Sequence, residues 1–190
     1  MENNAVKLLQ ERRSIRSIDP ERQITEEELQ ELVKVTLNSP SAHNRQLFHF
    51  SVVQDAALLE HMADLIRQQM LQGSEEQRKK ASAPGYSPLH HAPTVIFVSG
   101  QLTASSYIHT DCGIAAGLIT AAATEMGLAT CITGSSLFMF NSDEGAELKK
   151  ALQIPENYQT ICTIAVGYRK GDMPQPPAKK SADELITYVR

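Results

Sequence analysis

"SYIHTDCGIAAGLITAAATEMGLATCITGSS", Ser106 to Ser136, is the stretch on which the fold turns. As far as Leu128 it is apolar nearly all round, the pattern of a helix with no solvent face, hence a core or interface helix. Its apolar part is too short and too rich in small residues to span a membrane. Gly113 and Gly117 form a GxxxG spacing that reads as close packing. The segment "ATCITGSS" then reads as a short strand and a turn.

Working outward, "APTVIFVSG" (Ala92–Gly100) is a buried strand by its continuous β-branched run. "FHFSVVQ" (Phe48–Gln54) and "YQTICTIAVGYR" (Tyr158–Arg169) are further strands. Helical spacing appears in "AVKLLQERR" from Ala5, "AALLEHMADLIRQQML" from Ala56 behind a capping Asp55, and "DEGAELKKALQI" from Asp143. The clearest helix is "ITEEELQELVKVTLNSP" (Ile24–Pro40). Thr25 caps it, Glu28 completes a capping box, and Leu29, Leu32, Val33 and Leu37 form the apolar stripe. Residues 73–91 are polar and broken by Gly and Pro, so they read as a surface loop or lid. The tail, residues 171–190, joins the Pro-rich "GDMPQPPAKK" to a strand-like "DELITYVR" and reads as an arm that reaches away. Four or five strands interleaved with five helices give one layered α/β or α+β domain over residues 1–190.

The chain has 190 residues, 42% of them hydrophobic, and a net charge of −4. Such a balance disfavours nucleic-acid binding, which rests on neutralising phosphates. Cys112, Cys131 and Cys162 are an odd set without CxxC spacing, and read as buried free thiols of a reducing compartment. The N-terminal residues lack the order of a secretory signal, and the expected location is cytoplasmic. No GxGxxG, P-loop, HExxH or GxSxG pattern is present, so hydrolase and metalloenzyme readings have no support.

Four segments could carry chemistry. "ERRSIRSIDP" places Arg12, Arg13, Ser14 and Arg16 within five residues, a set that suits either a phosphate or a helix C-terminus. "NSPSAHNRQLFHF" gathers Ser41, His43, Asn44 and Gln46 in a loop able to read the edge of a heterocycle, or to be a satisfied polar turn. "CITGSS" ends a strand where Gly134 permits close backbone approach, or is an ordinary turn. Lys179 and Lys180 are a second cationic pair, or two solvated lysines.

In order and spacing, "ERRSIRSID", "NSPSAHNRQLFHFSVVQD", "HAPTVIFV", "DCGIAAGLITAAATEMGLATCITGS" and "AVGYRKGDMPQPPAKKSADELI" resemble the nitroreductase family of FMN-dependent oxidoreductases. The resemblance implies an α+β three-layer sandwich around a mixed, largely antiparallel sheet flanked by helices. It further implies a homodimer with FMN at the subunit interface and C-terminal segments exchanged between subunits. Arg12, Arg13, Ser14 and Arg16 would hold the phosphate and ribityl chain, with Arg16 near the flavin N1/O2 edge. Pro40, Ser41, Ala42, Asn44 and Gln46 would reach the flavin from the partner subunit. Ile132, Thr133 and Gly134 would lie by N5, and Lys179 or Lys180 would complete the phosphate clamp. The implied reaction is ping-pong transfer of hydride from NADH or NADPH through FMN to a nitroaromatic, quinone or similar small-molecule acceptor. No side chain need act as acid or base. His43, Tyr86, His90 and His91 are the expected acceptor contacts, with 73–91 as a lid. The alternatives are another flavin reaction of the family, such as dehalogenation, enoate reduction, flavin reduction or flavin fragmentation, and a flavin-storage protein.

Overall fold

A computed structural model describes residues 4–190. Its frame is a four-stranded sheet in the order β1-β2-β4-β3, formed by β1 (Phe48–Val53), β2 (Thr94–Gly100), β3 (Ala129–Thr133) and β4 (Gln159–Gly167). Every ladder is antiparallel. The parallel component of the expected mixed sheet is therefore not among these four strands.

The central strand explains the layering. All seven residues of β2 are buried, and its side chains alternate between two cores. Val95 and Phe97 join the core beneath α3 (Ala56–Leu71), α4 (Glu75–Ala81) and α6 (Gly145–Ala151). Ile96 and Val98 join the core beneath α2 (Glu26–Leu37) and α5 (Ile108–Glu125). A strand with helices on both faces has no polar alternation, which is why the run from Val95 to Val98 is uniformly apolar. The result is an α+β sandwich of three layers.

Helix boundaries follow the capping chemistry. The Thr25 hydroxyl accepts from the Glu28 N–H (3.1 Å), while the Glu28 carboxylate accepts from the Thr25 N–H (2.8 Å). The same carboxylate accepts from the Tyr168 hydroxyl, tying α2 to the end of β4. Asp55 caps α3 through the Leu58 N–H. Before α2 comes α1 (Asn4–Glu11), and the chain then runs beside the sheet, bonding Ile15 N–H to the Thr130 carbonyl and bridging Ile18 to Arg169.

Three expectations change. Residues 73–91 are not a loop throughout: Ser74 and Gln77 form a reciprocal capping box that starts α4. The segment has no apolar stripe, so periodicity could not show it. The terminal "DELITYVR" is not a strand in the chain. Its first three residues belong to a four-residue helix, α7 (Ala182–Leu185), and the residues after it pair with no strand among the described residues. Last, Gly113 and Gly117 pack against nothing among the described residues, since a Cβ at either would meet open space. They share an exposed face of α5 with Ile114 and Leu118, 40% and 39% exposed.

Candidate functional site

The sheet brings two polar groups of residues to its two edges. At the β3 edge the Ile15–Thr130 bond sets the basic segment alongside the strand that ends in Ile132, Thr133 and Gly134, and Arg12 and Arg16 come close enough for their charges to act on Cys131. The turn after β3 is held by hydroxyls. Thr133 Oγ1 bonds the Ser135 hydroxyl (2.8 Å), and the buried Ser136 and Thr163 hydroxyls bond each other (2.8 Å). Such bracing fixes the backbone from Ile132 to Gly134, whose glycine opens on free space. Ile132 is 44% exposed, an apolar side chain laid bare at the strand end.

Arg13 differs from its neighbours. Its guanidinium donates to the Gln10 and Arg12 carbonyls at 2.9 and 3.0 Å, closing the end of α1. Arg12 and Arg16 have no ion pair among the described residues. Sequence reasoning missed a third such cation, Lys80, whose ammonium lies 5.6 Å over the Tyr86 ring. It sits in a charged helix with no periodic signal, and only the fold carries it towards Arg16.

The electrostatics record this convergence. Burial, followed by the charges of Arg16, Lys80 and His91, brings the His90 imidazole down to about 4. Burial raises the Cys131 thiol, against the opposing pull of Arg16, Lys80 and Arg12. Burial also raises the Tyr86 phenol, with the Ser135 side chain working against it. Of the expected acceptor contacts, His90 thus stands within reach of the Arg16 and Lys80 charges. Tyr86 and His91 line a cleft of about 600 Å³ against α3, the Tyr86 hydroxyl 3.5 Å from Met70 Sδ and a His91 ring nitrogen 3.1 Å from the Gly85 carbonyl. None of Arg12, Ser14, Arg16 or Ile132 borders that cleft.

The second group lies at the β1 edge. Residues 40–46 link α2 to β1 through a 3-10 turn at Ala42–Asn44. His43, Asn44 and Gln46 adopt φ of 54°, 53° and 51°, a left-handed conformation that costs non-glycine residues energy. Four bonds hold the loop. Ser41 Oγ accepts from Gln46 N–H (2.9 Å), Asp111 Oδ1 from Ala42 N–H (3.1 Å), the Ala104 carbonyl from Arg45 (2.8 Å), and the Leu47 carbonyl from Gln101 N–H (3.1 Å).

β1 and β3 are opposite edges of the sheet, three strand spacings or roughly 14 Å apart. One chain therefore does not join the 40–46 loop to the basic group at β3. Lys179 and Lys180 lie on the exposed tail and are brought to neither.

The residues at the β3 edge fit a phosphorylated aromatic cofactor. Unpaired guanidinium groups and the Ser14 hydroxyl suit the phosphate, and Ile132 beside open Gly134 suits a flat ring.

Comparison with known proteins agrees with this architecture. A nitroreductase from Bacteroides fragilis, solved with bound FMN, superposes with a TM-score of 0.88 at 25% identity, covering 99% of this chain and all of that one. A nitroreductase from Desulfitobacterium hafniense, also with bound FMN, gives 0.89 at 29% identity over the whole of both chains. The oxygen-insensitive NADPH nitroreductase of Helicobacter pylori is 27% identical over 96% of this chain and 95% of its own. The model of the Nitroreductase family matches residues 9–168, from the basic segment to the end of β4, and the chain belongs to that family.

Proposed function

We propose that the protein is an FMN-dependent NAD(P)H oxidoreductase that reduces nitroaromatics, quinones or similar acceptors as a homodimer with two interface sites. The observation that carries this reading is the unpaired cation group beside the bare apolar end of β3. Arg12, Ser14 and Arg16 hold the phosphate and ribityl chain, and Arg16 favours negative charge at the ring edge. Arg13 contributes by closing α1. The Ile132–Gly134 backbone meets the ring, and Pro40, Ser41, Ala42, Asn44 and Gln46 arrive from the partner subunit. FMN, when bound, supplies the hydride chemistry. This chain's residues position donor and acceptor over the ring, with Tyr86 and His90 on the acceptor side and neutral at pH 7, and His43 reaching it from the partner's loop.

Three exposed surfaces support dimerisation. One is the Gly113–Ile114–Gly117–Leu118 face of α5, whose glycines admit close backbone approach. Another is the open edge of β1, flanked by an apolar groove of about 360 Å³ between Leu29, Val33, Leu37, Phe48 and Val52. The third is the exposed tail with Leu185, Ile186, Tyr188 and Val189 uncovered, an arm of the right chemistry for a partner's groove and strand edge. Lys179 or Lys180 on that arm completes the phosphate clamp. Burial holds the Cys112 thiol at about 12 and the Cys162 thiol at about 11, so neither is a reactive thiolate at neutral pH.

The test is FMN titration of apo-protein followed by flavin fluorescence, with Arg12→Ala and Ser14→Ala beside wild type. The substitutions weaken binding by tenfold or more, and unchanged affinity returns the segment to a helix end. Sedimentation of Ile114→Glu/Leu118→Glu gives monomers; a variant that stays dimeric rules out the α5 face.

A further inference from the structure

The only buried carboxylate among the described residues plays no part in the site as proposed. Asp111, 5% exposed, lies in the first turn of α5 and has no ion pair among them. A carboxyl group removed from water needs hydrogen-bond donors. The Ala42 N–H, 69 residues away in sequence, supplies one at 3.1 Å. Ala42 opens the segment in which His43, Asn44 and Gln46 are left-handed. The Ser41–Gln46 bond is internal to that loop, and the Arg45–Ala104 bond is exposed. Asp111 thus provides a part-buried side-chain attachment of the loop to the body of the domain.

We infer that Asp111 is a positioning residue, which through Ala42 sets the 41–46 loop in the conformation that reads the flavin ring. The inference rests on the proposed flavin site. A purely structural acid would stabilise α5 and the loop alike. A positioning acid acts on the loop alone, and its effect shares a route with that of Gln46.

The experiment compares wild type, Asp111→Ala and Asp111→Asn by amide hydrogen exchange of the flavin-free protein and by FMN titration. In Asp111→Ala, amides of residues 42–47 exchange at least tenfold faster while β2 and β4 keep their protection. FMN binds about tenfold more weakly, as expected for the loss of one hydrogen bond. Asp111→Asn keeps an acceptor oxygen and recovers most of both. The loss in Asp111→Ala/Gln46→Ala falls short of the product of the two single losses. Unchanged exchange at 42–47, equal loosening of the whole chain, or multiplicative losses would each overturn the inference. If Asp111→Ala does not fold, Asp111→Leu, of similar size and without an acceptor, decides: faster exchange confined to 42–47 supports the role, and unchanged exchange ends it. A wild type that binds no FMN defeats the flavin reading, while the exchange arm still decides whether Asp111 holds the loop.

Discussion

His90 gives the sharpest quantitative prediction, because its ring titrates inside the cation group. Burial leads and Arg16, Lys80 and His91 add to it, so its folded-state pKa of about 4 lies below the ordinary 6.5. Between these values the unfolded chain binds the proton and the folded chain does not. Stability is therefore complete above pH 6.5 and is lost as pH falls towards 4. At pH 5 undamped linkage removes about 2 kcal/mol relative to neutral pH, and partial exposure of the ring reduces this to about 1 kcal/mol. The chain holds five other histidines, so the assay must be differential. His90→Asn is the suitable reference, because at φ 59° asparagine is tolerated better than most residues. In urea unfolding of flavin-free protein, wild type should lose about 1 kcal/mol more than His90→Asn between pH 7 and pH 5. Equal losses, or an NMR titration of His90 centred above pH 6, would refute the reasoning. A phosphate dianion beside Arg16 weakens the local positive field, so FMN should raise the His90 pKa, and so should Arg16→Ala.

Removing the α2 cap with Thr25→Ala should cost about 1 kcal/mol in urea unfolding, with the m-value unchanged. Phe97, fully buried at the centre of β2, should cost about 3–5 kcal/mol as alanine in the same assay. Gly145→Ala should destabilise strongly in a calorimetric scan, because its Cβ collides with the Phe140 carbonyl rather than with a movable side chain. At pH 8 a disulfide reagent should leave the buried Cys112 unmodified until denaturant is added, since burial keeps that thiol protonated.

The frame was legible where one local signal sufficed. The Thr25–Glu28 box began a helix where it stood, and the unbroken run through Val95–Val98 marked a strand covered on both faces. Legibility failed where the signal was short or lay outside the chain. The Ser74–Gln77 box went unread because Glu75–Ala81 has no apolar face to confirm it. "DELITYVR" carries a strand's composition, yet a strand needs an edge, and no edge of its own chain receives it. At the site, the basic segment and the "CITG" turn could be picked out by residue type. Lys80 and Asp111 could not, since a lysine in a charged helix and one acid in an apolar helix acquire meaning only from what the fold sets beside them.

The distance between the two sheet edges has a consequence for genetics. In the proposed dimer each flavin site takes its cation group from one chain and its 40–46 loop from the other. An allele damaged at Arg12 and an allele damaged at Asp111 would each hold flavin weakly alone. A mixed dimer would gather both lesions into one site and leave the other intact, so co-expression of the two weak binders should give hybrids in which one site of two binds flavin with wild-type affinity.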